Sequence, residues 1–188
     1  MTRRVQLVLL CEDRQHETFV RQFLKKMGWE KSVGRIRVKI APPGKGAAEQ
    51  FVRNEYPIEL KEHRKVRNRV ATALIVVRDG DNQGLVYRVQ ELSKACELHG
   101  IEPRQDDEAV AIVIPTWNIE TWIAYLTGET VDETKSDYPR LQRQRDCRPQ
   151  VEALVEMCRH REFRQPLPQS LKTACEECRR LVSLMSTR

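Results

Sequence analysis

VQLVLLC (residues 5–11) and ATALIVV (residues 71–77) are two short runs of mainly apolar residues, and they decide the fold class of this chain. Continuous apolar runs of this length, rich in Val, Leu and Ile, are typical of strands covered on both faces of a parallel sheet. Each run is followed by acidic residues: Glu12 comes directly after the first, and Asp79 and Asp81 come just after the second. The sequence therefore predicts two buried strands whose carboxyl ends carry carboxylates.

Strand and helix patterns alternate along the amino-terminal two thirds of the chain. Basic and apolar residues alternate at residues 35–40, which is typical of an edge strand, and a fourth strand is predicted at residues 109–114. Helices are predicted in the intervals: one that ends before Gly28, one at residues 47–56 that resumes after an end or kink at Pro57, and one at residues 85–98. The order βαβαβαβ indicates a mainly parallel sheet, whose ligand site lies beyond the carboxyl ends of the strands.

The fourth strand leads into PTWNIETWIAYL (residues 115–126), which has the pattern of a further helix. Asn118 is a good N-cap, and Glu120 then falls in the first helical turn. Glu120 is therefore expected near the same edge of the sheet as Glu12 and Asp79.

The predicted organisation is an α/β domain followed by a helical extension. The domain, at residues 1–128, has a mainly parallel four-stranded sheet flanked by helices, and the extension, at residues 129–188, has two helices separated by Pro166 and Pro168. With 188 residues, of which 40% are hydrophobic, the chain can bury a core without disulfides. No stretch approaches the roughly 20 apolar residues of a membrane span, so a soluble, cytoplasmic protein with reduced cysteines is expected.

The acidic strand ends predict a divalent-metal site. Carboxylates that crowd together resist burial unless a cation or hydrogen bonds compensate their charge. Hard oxygen ligands of this kind favour Mg²⁺ or Mn²⁺. Simpler explanations stay open for single residues, because Glu12 or Asp13 could be a helix N-cap and the helix dipole could favour Glu120 where it lies.

LLCEDRQHETFVRQFL (residues 9–24) and LIVVRDGD (residues 74–81) resemble the two acidic motifs of the Toprim superfamily, which includes topoisomerases, primases and OLD-family nucleases. IPTWNIETWIAYL (residues 114–126) is similar to the corresponding segment of small OLD-like Toprim proteins of bacteria. Two positions depart from the family pattern: Asp13 replaces a glycine, and Glu17 is the nearest match to the next acidic residue.

This resemblance, which covers residues 5–126, implies roles for four acidic residues. Asp79 and Asp81 would bind Mg²⁺, and Glu120 would join them as a metal ligand. Glu12 would act as the general acid/base or as a further ligand.

The expected function is a metal-dependent nuclease or nuclease subunit that acts on phosphodiester bonds, in a setting such as bacterial defence or DNA repair. The metal would neutralise a phosphate and lower the pKa of bound water, while a nearby carboxylate handles the proton. Two alternatives stay open: a non-catalytic Toprim-like partner protein that binds nucleic acid or an ATPase, and a Mg²⁺-dependent phosphohydrolase of small molecules.

The basic surplus, 33 Lys and Arg against 27 Asp and Glu, favours a polyanionic partner such as nucleic acid. DNA is expected ahead of RNA, an ATPase and a homodimer are allowed as further partners, and no membrane contact is expected. The alternative for the basic stretch at residues 61–69 is an ordinary solvated helix face. The candidate phosphate contacts are Lys45, which lies in a Pro- and Gly-rich turn, and Lys61, Arg64, Lys65 and Arg67 of that stretch.

The cysteines and histidines carry a weaker signal. Only Cys175 and Cys178 have the spacing of zinc ligands, and the apolar helical stripe that contains them favours core packing instead. His16, like the other histidines, lies in a charged context that implies no Ser or Cys partner, so a nucleophilic triad has no support.

Overall fold

A computed structural model describes residues 5–29, 33–44 and 47–186, and its strands and helices follow the predicted alternating order. The strands are ordered β2-β1-β3-β4 and pair in parallel throughout, with β2 at one edge as expected. The predicted α/β class, with a four-stranded parallel sheet flanked by helices and a helical carboxyl-terminal region, is confirmed. The elements are β1 (Val5–Cys11), α1 (Arg14–Lys26), β2 (Val33–Ile40), α2 (Ala47–Val66), β3 (Thr72–Val77), α3 (Gly84–Leu98), β4 (Val110–Val113), α4 (Ile119–Thr127), a 3-10 turn (Gln144–Cys147), α5 (Arg148–His160) and α6 (Gln169–Ser186).

Strand β3 is the centre of the core, because every residue along it is buried. Successive strand residues point to opposite faces of a sheet, so Ala73, Ile75 and Val77 join one hydrophobic cluster while Leu74 and Val76 join another. Helices α1, α4, α5 and α6 complete the first cluster, and α2 and α3 complete the second. Coverage on both faces explains why the strand sequences are continuous apolar runs.

The two carboxyl-terminal helices belong to the same core as the sheet. Leu154 of α5 and Leu171 and Cys175 of α6 are buried in the cluster that contains Ile75. The extension predicted at residues 129–188 is therefore a layer of the α/β fold, because its apolar faces cover one side of the sheet.

Helix α6 also closes the edge of the sheet at β4. Glu177 accepts a hydrogen bond from the backbone N–H of Ile112 (3.1 Å), and Arg180 donates to the backbone carbonyl of Val110. Arg104 donates to the same carbonyl (3.1 Å) and forms an ion pair with Glu177. Side chains thus take the place of a neighbouring strand, which leaves fewer backbone groups for another chain to pair with.

Helix α2 continues through Pro57, where the sequence predicted an end or a kink, and it ends only at Val66. Proline removes one backbone hydrogen bond from a helix interior, a penalty of about 3 kcal/mol or more. Val52, Tyr56 and Leu60 are buried on the sheet side of this helix. The helix does not end at Pro57, because tertiary packing outweighs the local preference.

The basic stretch at residues 61–69 lies at the amino ends of the strands, because α2 runs back along the sheet before it leads into β3. Glu49 and Arg64 lie at opposite ends of α2, about 22 Å apart at 1.5 Å of rise per residue. The stretch is therefore remote from the carboxyl edge where the predicted metal site lies. Lys61 and Lys65 are exposed there, and Lys45 lies outside the described residues.

Arg64 holds the loop that precedes β4. Its guanidinium donates to both carboxylate oxygens of Glu108 (2.6 and 2.9 Å) and to the backbone carbonyls of Glu102 and Pro103. Glu108 is 1% exposed, and Arg67 contacts the same carboxylate at 3.3 Å. The interpretation as a solvated helix face does not hold for Arg64 and Arg67, because both guanidinium groups compensate a buried charge.

The cysteines are free thiols, and Cys175 is buried in the core while Cys178 is half-buried and packs against it, as the packing interpretation expects. The Sγ atoms of Cys158 and Cys175 lie 2.9 Å apart between α5 and α6. His160 is exposed and pairs with Glu156. Within the described ranges, no helix combines the length and the apolar character needed to cross a membrane.

Replacing Arg64 with Gln is expected to lower the free energy of unfolding by about 2–4 kcal/mol, because the buried Glu108 carboxylate loses its bidentate partner. Lys65→Gln is the matched control, since the Lys65 side chain pairs with the exposed Glu62, and no measurable change is expected for it. Chemical denaturation of the wild type and both variants measures the difference. Equal stabilities of the two variants would contradict the structural role of Arg64.

Candidate metal and active site

Three of the four predicted site carboxylates converge at the carboxyl ends of the central strands. Glu12 follows β1 directly, Asp79 lies two residues beyond β3, and these strands are neighbours in parallel register. A carboxylate oxygen of Glu12 accepts a hydrogen bond from the backbone N–H of Asp79 (3.2 Å). Glu120 is in the first turn of α4, and burial, with a smaller effect of the Asp79 charge, raises the pKa of its carboxyl group. The shared sheet edge expected from the sequence is present for these three residues.

Asp13, rather than Glu12, caps helix α1. The Asp13 carboxylate accepts a hydrogen bond from the backbone N–H of His16 (2.9 Å), which is the usual bond of an N-cap residue. The N-cap explanation therefore applies to Asp13 alone. Glu12 turns instead towards the sheet edge, where it is only 9% exposed.

His16 is a site residue that the sequence analysis missed. Its ring is fully buried, and Nε2 lies 3.0 Å from a carboxylate oxygen of Asp79. Burial by itself lowers the pKa of this imidazole, but the charge of Asp79 and the hydrogen bond to it outweigh burial and raise the pKa to about 9. His16 is therefore an imidazolium at neutral pH that pairs with Asp79.

A signal for His16 was present in the helical periodicity. His16 occupies the first position of the buried stripe of α1, so the helix directs it into the fold. A polar residue at an inward-facing position needs a buried partner, and this pattern could have predicted one. The other members of the stripe are Phe19, Val20, Phe23 and Leu24.

The turn after β3 is held tightly against the segment between β4 and α4. Gly80 donates its N–H to the carbonyl of Pro115 (2.8 Å), and a Cβ atom at Gly80 would lie 2.9 Å from that oxygen. Asp81 and Trp117 form an isolated antiparallel bridge, and both have left-handed backbone conformations, with φ of 46° and 59°. Such conformations are unfavourable for residues other than glycine and concentrate at functional sites.

Asp81 does not share the direction of Asp79. Its carboxylate pairs with Arg88 of α3 (2.7 Å), while Asp79 pairs with His16 of α1 on the other face of the sheet. Arg88 also donates to the carbonyl of Gly80 (3.3 Å). Asp79 and Asp81, which the resemblance assigns to one Mg²⁺ ion, therefore diverge to opposite faces of the sheet, and Gly80 between them serves the close backbone approach to Pro115.

Arg78 is a fully buried cation behind the acidic cluster, and the sequence analysis assigned it no role. Its guanidinium lies 3.6 Å from Glu12, 3.5 Å from Glu49 and 3.0 Å from Glu91. Burial, followed by the nearby charge of Arg88, lowers its pKa from the ordinary value. A buried guanidinium requires anionic partners, so Arg78 draws Glu12 into the sheet edge and holds it there.

The carboxylates of this cluster resist ionising together. Burial, followed by the charge of Asp79, raises the pKa of Glu12 to about 7. Burial also raises the pKa of Glu120, and Asp79 adds to that effect. Glu12 can therefore exchange a proton near neutral pH, as a general acid/base must, and a cation among the three groups would relieve their repulsion.

The site offers carboxylate oxygens rather than a completed ligand set. Among the residues that the structure describes, no three or more Asp, Glu, His or Cys side chains are arranged to hold a metal ion. One buried carboxylate oxygen of Glu12 makes no hydrogen bond within these ranges. Glu120 has one ion pair, 3.5 Å to the largely exposed Arg140. Binding of one cation by all three would require Glu12, Asp79 and Glu120 to move closer together.

The fold and the site define an α/β protein with a parallel sheet covered on both faces and a buried acidic cluster at its carboxyl edge. Comparisons with protein-family models, with curated proteins and with solved structures gave no match to this chain. The functional argument therefore rests on the site itself, and the Toprim resemblance stays a prediction.

Gly80→Ala is expected to lower the free energy of unfolding by about 1–3 kcal/mol, because the new methyl group would overlap a backbone carbonyl that has no room to move. Asn82→Ala, at an exposed position of the same turn, is the control and is expected to stay within about 0.5 kcal/mol of wild type. Thermal or chemical denaturation measures both. A neutral Gly80→Ala variant would show that the contact with Pro115 is not tight.

Glu12→Gln is expected to stabilise the protein at pH 8 by about 1–3 kcal/mol and to have little effect at pH 5. The native pKa of Glu12 is about 7, above the ordinary value of 4.5, so the native state keeps a proton that the unfolded chain has released. Wild-type stability from this group is complete below pH 4.5 and is lost as the pH rises through 7. Gln cannot ionise, so the variant escapes that loss.

Urea denaturation at several pH values between 5 and 8 measures the difference between wild type and Glu12→Gln. The control is Glu97→Gln, at an exposed position of α3, which is expected to follow the wild-type profile. A constant difference at all pH values would contradict the raised pKa of Glu12.

Proposed function

We propose that this protein is a divalent-metal-dependent nuclease, or the nuclease subunit of a complex, that acts on phosphodiester bonds of nucleic acid, with DNA ahead of RNA. The observation that carries the proposal is the meeting of Glu12, Asp79 and Glu120 at the carboxyl edge of a parallel sheet, where such sheets bind ligands. Burial raises the pKa of both Glu12 and Glu120, so their charged forms destabilise the free protein, which is the usual mark of groups retained for function.

Asp79 and Glu120 are the proposed ligands of Mg²⁺ or Mn²⁺, because both lie at the carboxyl edge of the sheet. Hard carboxylate oxygens fit these cations. The cation would neutralise a phosphate and lower the pKa of a bound water. Asp81 could join as a ligand only if its ion pair with Arg88 opened, so the proposal gives it a secondary place.

Glu12 is the proposed general acid/base, because its pKa of about 7 lets it accept and release a proton at neutral pH. Arg78 and His16 are positioning residues. Arg78 lies beside the carboxylate of Glu12, and His16 holds the carboxylate of Asp79 from the opposite face of the sheet.

A non-catalytic partner protein is the second candidate, and one observation favours it: the chain supplies its own cations. His16 pairs with Asp79, Arg78 contacts Glu12, and Arg88 pairs with Asp81. Each acidic strand end is thereby compensated in part, which a protein that binds no metal would require. Metal dependence separates the two candidates.

Asp79→Asn is expected to lower the rate of DNA cleavage by about 100-fold or more, because it removes a proposed metal ligand. Wild-type protein is expected to cleave with Mg²⁺ or Mn²⁺ and to stop in EDTA. Asn is preferable to Ala here, since its amide oxygen can still accept a hydrogen bond from the buried His16. Asp137→Asn, at an exposed loop position, is the matched control and should cleave at the wild-type rate.

Mn²⁺ titration by calorimetry adds a readout that does not depend on cleavage. Asp79→Asn is expected to lose Mn²⁺ affinity, and Asp81→Asn to lose much less because Arg88 already engages that carboxylate. Undiminished wild-type cleavage in EDTA would rule out the mechanism. Absence of both Mn²⁺ binding and cleavage would favour the partner protein, and hydrolysis of small phosphate esters alone would favour the phosphohydrolase.

A further inference from the structure

A second basic segment lies beside the acidic cluster, in the connection between α4 and α5. We call residues 140–148 the arginine segment, because they include Arg140, Arg143, Arg145 and Arg148 against one acidic residue, Asp146. All four arginines are exposed. The sequence analysis treated this part of the chain only as the start of the helical extension, so it had no place among the predicted phosphate contacts.

The arginine segment is fastened along the exposed side of α1. Gln15 and Gln22 donate to the backbone carbonyls of Gln144 and Arg145, both at 3.3 Å, and Cys147 is buried beneath the segment. Gln15 and Gln22 are seven residues apart and lie on the same face of α1, so they hold the backbone at residues 144 and 145 against that face. Because backbone atoms and Cys147 make these contacts, the arginine side chains are left on the outside.

One end of the segment reaches the proposed site directly. The Arg140 guanidinium lies 3.5 Å from a carboxylate oxygen of Glu120 while its side chain remains 83% exposed. Within the described part of the chain, no hydrogen bond or ion pair engages the side chains of Arg143 and Arg145. These guanidinium groups are free to bind an external anion next to the carboxylates.

The predicted basic stretch on α2 offers less. Arg64 and Arg67 neutralise the buried Glu108, and the stretch lies at the amino edge of the sheet, away from the acidic cluster. An acidic site repels a polyanion, so a nucleic acid needs positive charge on the same side of the molecule to approach it. The arginine segment supplies that charge where it is needed.

We propose that the arginine segment is the surface that binds the phosphate backbone of nucleic acid and leads it to Glu12, Asp79 and Glu120. Guanidinium groups suit this task because their planar donors match phosphate oxygens and they stay charged at any physiological pH. Contacts of this kind fix the position of the strand without reading its sequence. The inference deepens the proposed nuclease function and rests on it for the meaning of the site, but binding can be tested without cleavage.

The test is fluorescence anisotropy with fluorescein-labelled DNA of mixed sequence, single-stranded and duplex, in EDTA at several salt concentrations. The triple variant Arg140→Gln, Arg143→Gln, Arg145→Gln is expected to bind DNA about 10-fold or more weakly. The slope of log affinity against log salt concentration should become shallower by about two to three units, because fewer counterions leave the DNA when fewer phosphates are contacted. The matched control is Lys61→Gln, Lys65→Gln, Arg69→Gln at the amino edge. This control also removes three positive charges, and its DNA affinity and salt slope are expected to stay near wild type.

Equal weakening of both triple variants, or no weakening of the arginine variant, would overturn the inference. If the arginine variant lost binding to phosphatidylserine vesicles while it still bound DNA as the wild type does, the inference would also be overturned. Arg143→Gln, Arg145→Gln is tested in parallel, because these exposed side chains make no hydrogen bond or ion pair with the described residues and their loss should not affect folding. If Asp79→Asn abolishes cleavage while the arginine variant binds DNA normally, the nuclease proposal stands and this one fails. If the arginine variant loses DNA binding while Asp79→Asn leaves cleavage unchanged, the binding surface stands and the proposed nuclease site fails.

Discussion

The parallel pairing of β1 with β3 forces two acidic strand ends into a place from which water is largely excluded. Carboxylates buried near one another must be protonated, hydrogen-bonded or paired with cations. The surrounding structure provides the last two: a backbone N–H donates to Glu12, Arg78 lies beside it, and His16 pairs with Asp79. The positions of α1, α2 and α3 around the carboxyl edge can be understood from this requirement, because each helix contributes a charged side chain to it.

This compensation of the carboxylate charges is incomplete. The charge that stays uncompensated makes the carboxyl edge a candidate site. Glu12 keeps a pKa of about 7, and one of its oxygens stays without a hydrogen bond in the described structure. The adjoining turn holds Asp81 and Trp117 in unfavourable backbone conformations, kept in place by the close approach of Gly80 to Pro115. Uncompensated charge and unfavourable backbone conformations in the same few residues do not favour stability. They are typical of a ligand-binding site.

The arginines at the two ends of the sheet differ in what their side chains contact. At the amino edge, Arg64 and Arg67 neutralise Glu108 and fix the loop before β4, so their charges are paired within the protein. At the carboxyl edge, the arginine segment leaves its guanidinium groups outside while its backbone is bonded to α1. Two stretches that look alike in the sequence therefore differ in what their guanidinium groups contact, because their neighbours in space differ.

The sequence by itself determined the order of strands and helices, the burial of the sheet on both faces and the expected meeting of Glu12 with Asp79 and Glu120. Apolar periodicity reports local burial, and parallel strands bring their carboxyl ends to one edge whatever the details of packing. Only the tertiary structure decided which side chains face one another there: His16 towards Asp79, Asp81 towards Arg88, and Arg78 towards Glu12. It also carried α2 through Pro57. These outcomes depend on contacts between residues far apart in the chain, whose energies outweigh the local preferences that a sequence pattern can express.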